Sequence, residues 1–145
     1  MVLRFDINSY NLEFVKVAVM GASGLLGFAV CKSALRRGHK VYPYSSSNNQ
    51  KVEENITCKS LVLENDELLT RELFDNWPDA IINCAAISSP DAVNLSPTKS
   101  RKINVDGAYR LASIASHIGA RFIHISTDMV FDGSDAPYRS TDIPN

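Results

Sequence analysis

The sequence has few cysteines and no pattern among them. Cys31, Cys58 and Cys84 are odd in number and widely spaced, with no Cys-x-x-Cys pair. That excludes a disulfide framework and a zinc site, and predicts free thiols in a reducing cytoplasm. Neither sign of charge dominates: 15 basic and 16 acidic residues leave a net charge of −1. Without a basic stripe, neither a nucleic-acid nor a membrane partner is expected. No apolar run is long enough to span a bilayer, and the opening MVLRFDINSYNLEF lacks the basic-then-apolar order of a secretory signal. His39, His117 and His124 have no ligand spacing, and Asp128, Asp132 and Asp135 lack the closing Glu of a calcium loop, so no metal is expected. Neither a Gly-x-Ser-x-Gly elbow nor a Gly-Lys-Ser/Thr phosphate loop is present, which removes the serine-hydrolase and Walker A readings.

What the sequence does have is alternation. Its 145 residues, 45% hydrophobic and 21% charged, suit one ordinary domain. Residues 15–20 (VKVAVM) form a β-branched run suited to a strand buried on both faces. Leu26, Val30, Ala34 and Leu35 then recur at helical spacing, closed by Arg36, Arg37 and Gly38. Residues 40–44 and 59–63 read as the second and third strands, with a polar loop over 45–50. Residues 66–77 form a helix stopped by Pro78, and 80–84 a fourth strand. Ser96-Pro97 opens a helix running to Ile118 and closed by Gly119, and 121–126 is the fifth strand. The remainder, rich in Asp, Ser, Gly and Pro, reads as loop. This order predicts an α/β doubly wound Rossmann fold, a parallel sheet of about five strands in the order 3-2-1-4-5, occupying 15–145. Residues 1–14 are a lead-in with a weak alternation of Leu3, Phe5 and Ile7.

The first strand runs straight into Gly21-Ala22-Ser23-Gly24-Leu25-Leu26-Gly27. Glycines between a buried strand and a helix allow a tight turn, a close backbone approach to a pyrophosphate and close helix–sheet packing. The helix N-terminus then offers free N–H groups to the diphosphate. A dinucleotide cofactor is therefore expected, against the alternative of a ligand-free glycine turn. The end of the second strand holds Tyr44-Ser45-Ser46-Ser47 with no acid before Glu53, and hydroxyls there do not repel a 2′-phosphate. This favours NADP(H) over NAD(H). Lys51 is the nearest cation after that strand, and Arg36 and Arg37 could approach from the first helix. Cys84, at the end of the fourth strand, reads as a small buried thiol beside the cofactor and not as a nucleophile.

Taken together, these motifs resemble the extended short-chain dehydrogenases/reductases. The spacing Gly-x-x-Gly-x-x-Gly is similar to theirs, Asn83-Cys84-Ala85-Ala86 looks like their Asn-Ala-Ala-type segment, and Asn104-Val105-Asp106-Gly107 their Asn-Val-x-Gly. Ile125-Ser126-Thr127-Asp128-Met129-Val130-Phe131-Asp132-Gly133 resembles a stretch of the dTDP-4-dehydrorhamnose reductases and of the related β subunits of methionine adenosyltransferase. Pro137-Tyr138 and Thr141-Asp142-Ile143-Pro144 extend the likeness, which covers 15–144. The resemblance implies hydride transfer from a nicotinamide to a keto-sugar carbon of a nucleotide-activated sugar. It also implies that Thr127 hydrogen-bonds the substrate carbonyl and that Asn104 orders its helix and a proton-relay water. Ser23, Leu25 and Leu26 would line the phosphates and Ala85 and Ala86 the nicotinamide ribose, with Cys84 and Ser126 also among the cofactor-binding residues.

Two departures stand out. In the family a Tyr, acidified by a Lys four residues on, protonates the forming alkoxide. Here Tyr138 is followed at that position by Asp142, and no other tyrosine does better. Met129 replaces the usual tyrosine between Asp128 and Val130. The chain is thus expected to be the cofactor-binding part of a longer reductase, or a short protein without chemistry of its own. Pro90-Asp91 leans towards the regulatory β-subunit branch. An uncovered sheet face is expected to give self-association or a covering partner chain.

Overall fold

The computed structural model describes residues 14–46 and 51–144. The Leu3, Phe5 and Ile7 alternation and residues 47–50 of the expected loop lie outside them. In chain order the elements are β1 (Lys16–Met20), α1 (Leu25–Arg36), β2 (Lys40–Ser45), β3 (Lys51–Glu53), β4 (Ile56–Thr57) and β5 (Lys59–Ser60). There follow α2 (Asp66–Asn76), β6 (Ala80–Asn83), α3 (Pro90–Leu95), α4 (Pro97–Arg101), a π-helical segment (Lys102–Gly107), α5 (Ala108–Ile118), β7 (Arg121–His124) and a 3₁₀ turn (Asp128–Val130).

Five strands form one parallel sheet in the order β5-β2-β1-β6-β7, the arrangement expected from the sequence. Period two sorts its side chains into two cores. Val17 and Val19 of β1 face α1, where they meet Ala22, Cys31, Ala34 and Val41. Ala18 and Met20 point the other way and pack with Tyr44, Leu69, Leu73, Ile81, Leu111 and Ala115 from the α2 and α5 side. Each fully buried leucine there contributes roughly 1.5–3 kcal/mol. All three cysteines converge on the α1 side: Cys31 and Cys58 within that core and Cys84 packed against it.

The strand and helix bounds differ from expectation for definite reasons. The third strand stops at Ser60, not residue 63, because its neighbour β2 ends at Ser45; after Leu61 N–H donates to the Ser45 carbonyl at 2.8 Å there is nothing further to pair with. Leu61 and Leu63 turn into the core instead. The fifth strand likewise ends at His124, opposite the last residue of β6, with Ile125 N–H donating to the Asn83 carbonyl at 3.1 Å. The single helix expected over 96–118 is three segments, widened in the middle by the π turn. Ser96 stands at its N-cap position but makes no capping bond. A hairpin of β3 and β4, the short α3 capped by Ser89, and the 3₁₀ turn inside the expected terminal loop are further departures.

Candidate functional site

A cleft of about 230 Å³ opens at the carboxyl ends of β1, β2 and β6. This is where the strand order reverses and where open α/β sheets bind ligands. Its floor is the glycine turn. Gly21 has φ +73°, and a Cβ on it would stand 2.8 Å from Ala85 N. Gly27 is tighter still, since its Cβ would lie 2.2 Å from the Gly21 carbonyl oxygen. Any side chain at either position would push α1 or the loop after β6 out of place. The turn is held by Ala22 N–H donating to the Tyr44 carbonyl at 2.9 Å and Gly24 N–H to the Gly21 carbonyl at 3.0 Å.

The start of α1 differs from those of α2 and α3. Asn65 accepts from Leu68 N–H and two acids occupy the first turn of α2, while Ser89 caps α3. At α1 the N-cap is Gly24, no side chain caps it, and the first turn has no acid. Its leading N–H groups therefore remain available to an anion at the positive end of the helix.

Of the residues singled out by sequence, Gly21, Ser23, Gly24, Ser45, Ser46, Cys84, Ala85 and Ala86 all line this cleft. Gly27 lies buried behind it, giving α1 its close approach. Leu25 and Leu26 are not in the lining; Leu25 is 94% exposed, so at this position only the backbone faces a ligand. Ser126 and Thr127 are exposed beyond β7 and outside the lining. Thr127 Oγ1 accepts from Met129 N–H and donates to Asp128 Oδ1, each at 3.2 Å, which makes it the cap of the 3₁₀ turn. Arg36 and Arg37 cannot reach the cleft. They end α1, about 16 Å along its axis from the glycine turn, and Arg37 bonds back to Ser33.

Asn104 also stands outside the lining but shapes it. Its Oδ1 accepts from Ile87 N–H at 2.8 Å and its Nδ2 donates to the Ile87 carbonyl at 2.9 Å. Both backbone groups of a cleft-lining residue are thus fixed by one amide placed in the π segment. The same segment presents Ile103 to the cleft. Gly107 lets it settle on Leu63, whose Cβ would be 2.9 Å from any added methyl.

The sequence reading missed Leu61, Leu63, Glu64, Ile87 and Ile103 as lining residues. Glu64 follows the third strand as read over 59–63, so for it the rule that ligands lie beyond strand carboxyl ends was the available signal, while Leu61 and Leu63 reach the cleft because the strand stops at Ser60. Ile87 and Ile103 carried no such mark. The Cys84 thiol is pushed up by burial, which keeps it protonated and unreactive. Tyr138 is occupied in the terminal loop: its ring stacks on Phe131 at 4.2 Å, its oxygen accepts from Asp135 N–H, and its O–H donates to Asp132. Among the described residues no cluster of His, Cys, Asp or Glu could hold a metal, and no helix is long and apolar enough to cross a membrane.

Comparison with known proteins gives this geometry its context. Methionine adenosyltransferase 2 subunit beta of Bos taurus is 37% identical over 135 residues, 93% of this chain and 39% of that protein. A solved structure of a hypothetical dTDP-4-dehydrorhamnose reductase from Sulfolobus tokodaii superposes with TM-score 0.78 at 31% identity, covering 90% of this chain and 45% of that one. The dTDP-4-dehydrorhamnose reductase of Bacillus anthracis, solved in complex with NADP, gives TM-score 0.72 at 26% identity, with 86% and 40% covered. The chain therefore spans about two-fifths of the length of the relatives it matches. The RmlD substrate binding domain family matches residues 15–145, and the chain belongs to that family.

Proposed function

We propose that the chain binds a nicotinamide dinucleotide in this cleft, as the cofactor-binding part of an NAD(P)-dependent reductase of nucleotide-activated sugars. The observation that carries the reading is the glycine cradle. Gly21 and Gly27 admit no Cβ, and the uncapped, acid-free start of α1 stands behind them. Such a site suits a diphosphate and is costly to build for anything else. Similarity to a reductase solved with NADP supports the same assignment. The bound cofactor would supply the hydride. Gly21, Ser23, Gly24 and the backbone of Leu25 and Leu26 hold the diphosphate, while Ala85 and Ala86 border the nicotinamide ribose. Ser45 and Ser46 meet the adenosine ribose, and the absence of an acid beside them favours NADP(H) over NAD(H).

In the same reading Thr127 binds the carbonyl of a 4-keto sugar, exchanging its present bond to Asp128 for the substrate. No tyrosine of the chain has a lysine four positions on, so the 145 residues alone do not turn over. A second reading, a non-catalytic regulatory protein of the β-subunit kind, is favoured by the 37% identity to the bovine subunit and by Pro90-Asp91 at the start of α3.

Calorimetric titration with NADPH and, separately, NADH tests the proposal. Saturable binding, tighter for NADPH, is expected. A folded chain that binds neither ligand would overturn the cofactor reading and leave the regulatory one ahead.

A further inference from the structure

Asn83 ends β6 directly below the cleft and is 1% exposed, so its amide has no water to turn to. Its Oδ1 accepts from Ala85 N–H at 3.1 Å, and its Nδ2 lies 3.1 Å from His124 Nδ1. The two bonds are chemically linked. Turning the amide over would set its NH₂ against the Ala85 N–H, two donors facing each other, so the backbone dictates which way Asn83 points. With Nδ2 fixed as the donor, His124 Nδ1 must be the acceptor and its proton must sit on Nε2.

We infer that Asn83 and His124 are positioning residues for the cofactor loop, holding the Ala85 end of the cleft in register only while the His124 imidazole is neutral. A protonated ring carries N–H on both nitrogens and turns a donor towards the Asn83 NH₂. Either the amide flips and Ala85 N–H loses its acceptor, or the exposed ring swings out and leaves the buried NH₂ without one. Both outcomes loosen a segment whose Ala85 atoms lie within 2.9 Å of where a Gly21 Cβ would be. The side chains that meet the ring are uncharged. Phe122 stacks on it from within β7 at 6.1 Å, and Asn83 meets it from β6. Leu111 and Ala115 of α5 pack into the core on that side of the sheet. The ionisable groups of α5 are engaged elsewhere, His117 against Phe74 and Arg110 with Asp66, and Tyr109 is 77% exposed. Arg121 alternates to the opposite face of β7.

The inference rests on the cofactor reading only for its consequence, and the test separates the two. In the chain without ligand, the Ala85 amide resonance is followed by NMR between about pH 5 and 8, the range in which histidine changes charge. It should move with the His124 ring signals in the wild type and stay still in His124→Gln, whose side chain offers an acceptor that does not titrate. NADPH and NADH affinities at the two ends of that range form the second arm. NADH is included because the 2′-phosphate of NADPH itself titrates near there. Affinity should weaken roughly fivefold on acidification in the wild type, the worth of about one net hydrogen bond, and markedly less in His124→Gln. An Ala85 signal that does not follow His124, or follows pH equally in the variant, overturns the inference. A coupled Ala85 signal with no binding of either dinucleotide supports the inference and overturns the cofactor reading.

Discussion

A Cβ placed on Gly27 would stand 2.2 Å from the carbonyl oxygen of Gly21, six residues earlier in the same turn. That oxygen also accepts from Gly24 N–H at 3.0 Å, so it cannot retreat without undoing the turn. Gly27→Ala should therefore cost at least about 2 kcal/mol of stability, the opposite sign to the gain of up to about 1 kcal/mol that a glycine-to-alanine change inside a helix ordinarily brings. Gly24→Ala is the comparison, since its Cβ would meet only the Gly21 oxygen at 3.4 Å. It should lose less than about 1 kcal/mol. Chemical denaturation of both variants reads the difference, and equal effects would contradict the close approach.

Asn104 fixes Ile87 through two bonds, one in each direction. Asn104→Ala leaves a backbone donor and an acceptor unpaired at a partly buried site, a loss of about 1–3 kcal/mol. Asn104→Asp should be no milder. A carboxylate can still accept from Ile87 N–H, but it has no proton for the Ile87 carbonyl and repels it. Faster amide exchange around residues 85–88 should accompany both changes. An Asp variant as stable as the parent would mean that the Nδ2 bond contributes nothing.

The parts of the fold that were legible in the sequence are those set by local chemistry. Val17, Val19 and the glycines after them declare a buried strand and a phosphate turn, and Pro78 and Gly119 end their helices where expected. What was not legible depends on partners far along the chain. The length of β5 is set by where β2 ends, and the break in the helix after Ser96 coincides with contacts of Asn104 and Gly107 to Ile87 and Leu63. Nothing in the residues 102–107 announces a π turn. At the site, the glycines and Ser45 were readable because one conformation or one charge rule governs them. Ile87 and Ile103 enter the cleft through tertiary packing and carry no local signal.

Cys31 is fully buried, and burial, reinforced by neighbouring Cys58 and Cys84, pushes its thiol from 9.0 up to about 12. All three thiols are raised, so none should react with a disulfide reagent at neutral pH until the chain unfolds. The same shift has a consequence for stability. Below the unfolded value both states hold the proton and the full stability is present. Above it the unfolded thiol ionises while the folded one does not, so stability falls as pH climbs from about 9 towards 12. One such group gives a slope of at most about 1.4 kcal/mol per pH unit. Denaturant melts across that window should be steeper in pH for the parent than for Cys31→Ala, and identical slopes would exclude Cys31 as the cause.

The outer edge of β7 carries exposed apolar side chains. Ile123 and Ile125 are 41% and 42% exposed, and Met129 beyond them is 70% exposed. Ile123 stands opposite Ile82, on the face that α1 covers only farther across the sheet. Among the described residues no strand pairs with the free edge of β7. An apolar strip beside unpaired backbone donors and acceptors favours strand-to-strand association. The chain should therefore show a mass that rises with concentration in sedimentation or light scattering. Ile123→Lys should shift it towards monomer, since a charge on an edge strand opposes pairing. Because Ile123 is already part-exposed, that change should leave the melting transition nearly in place, which separates lost association from lost folding. A parent chain that stays monomeric at high micromolar concentration would show that this strip, though apolar, is not a self-association surface.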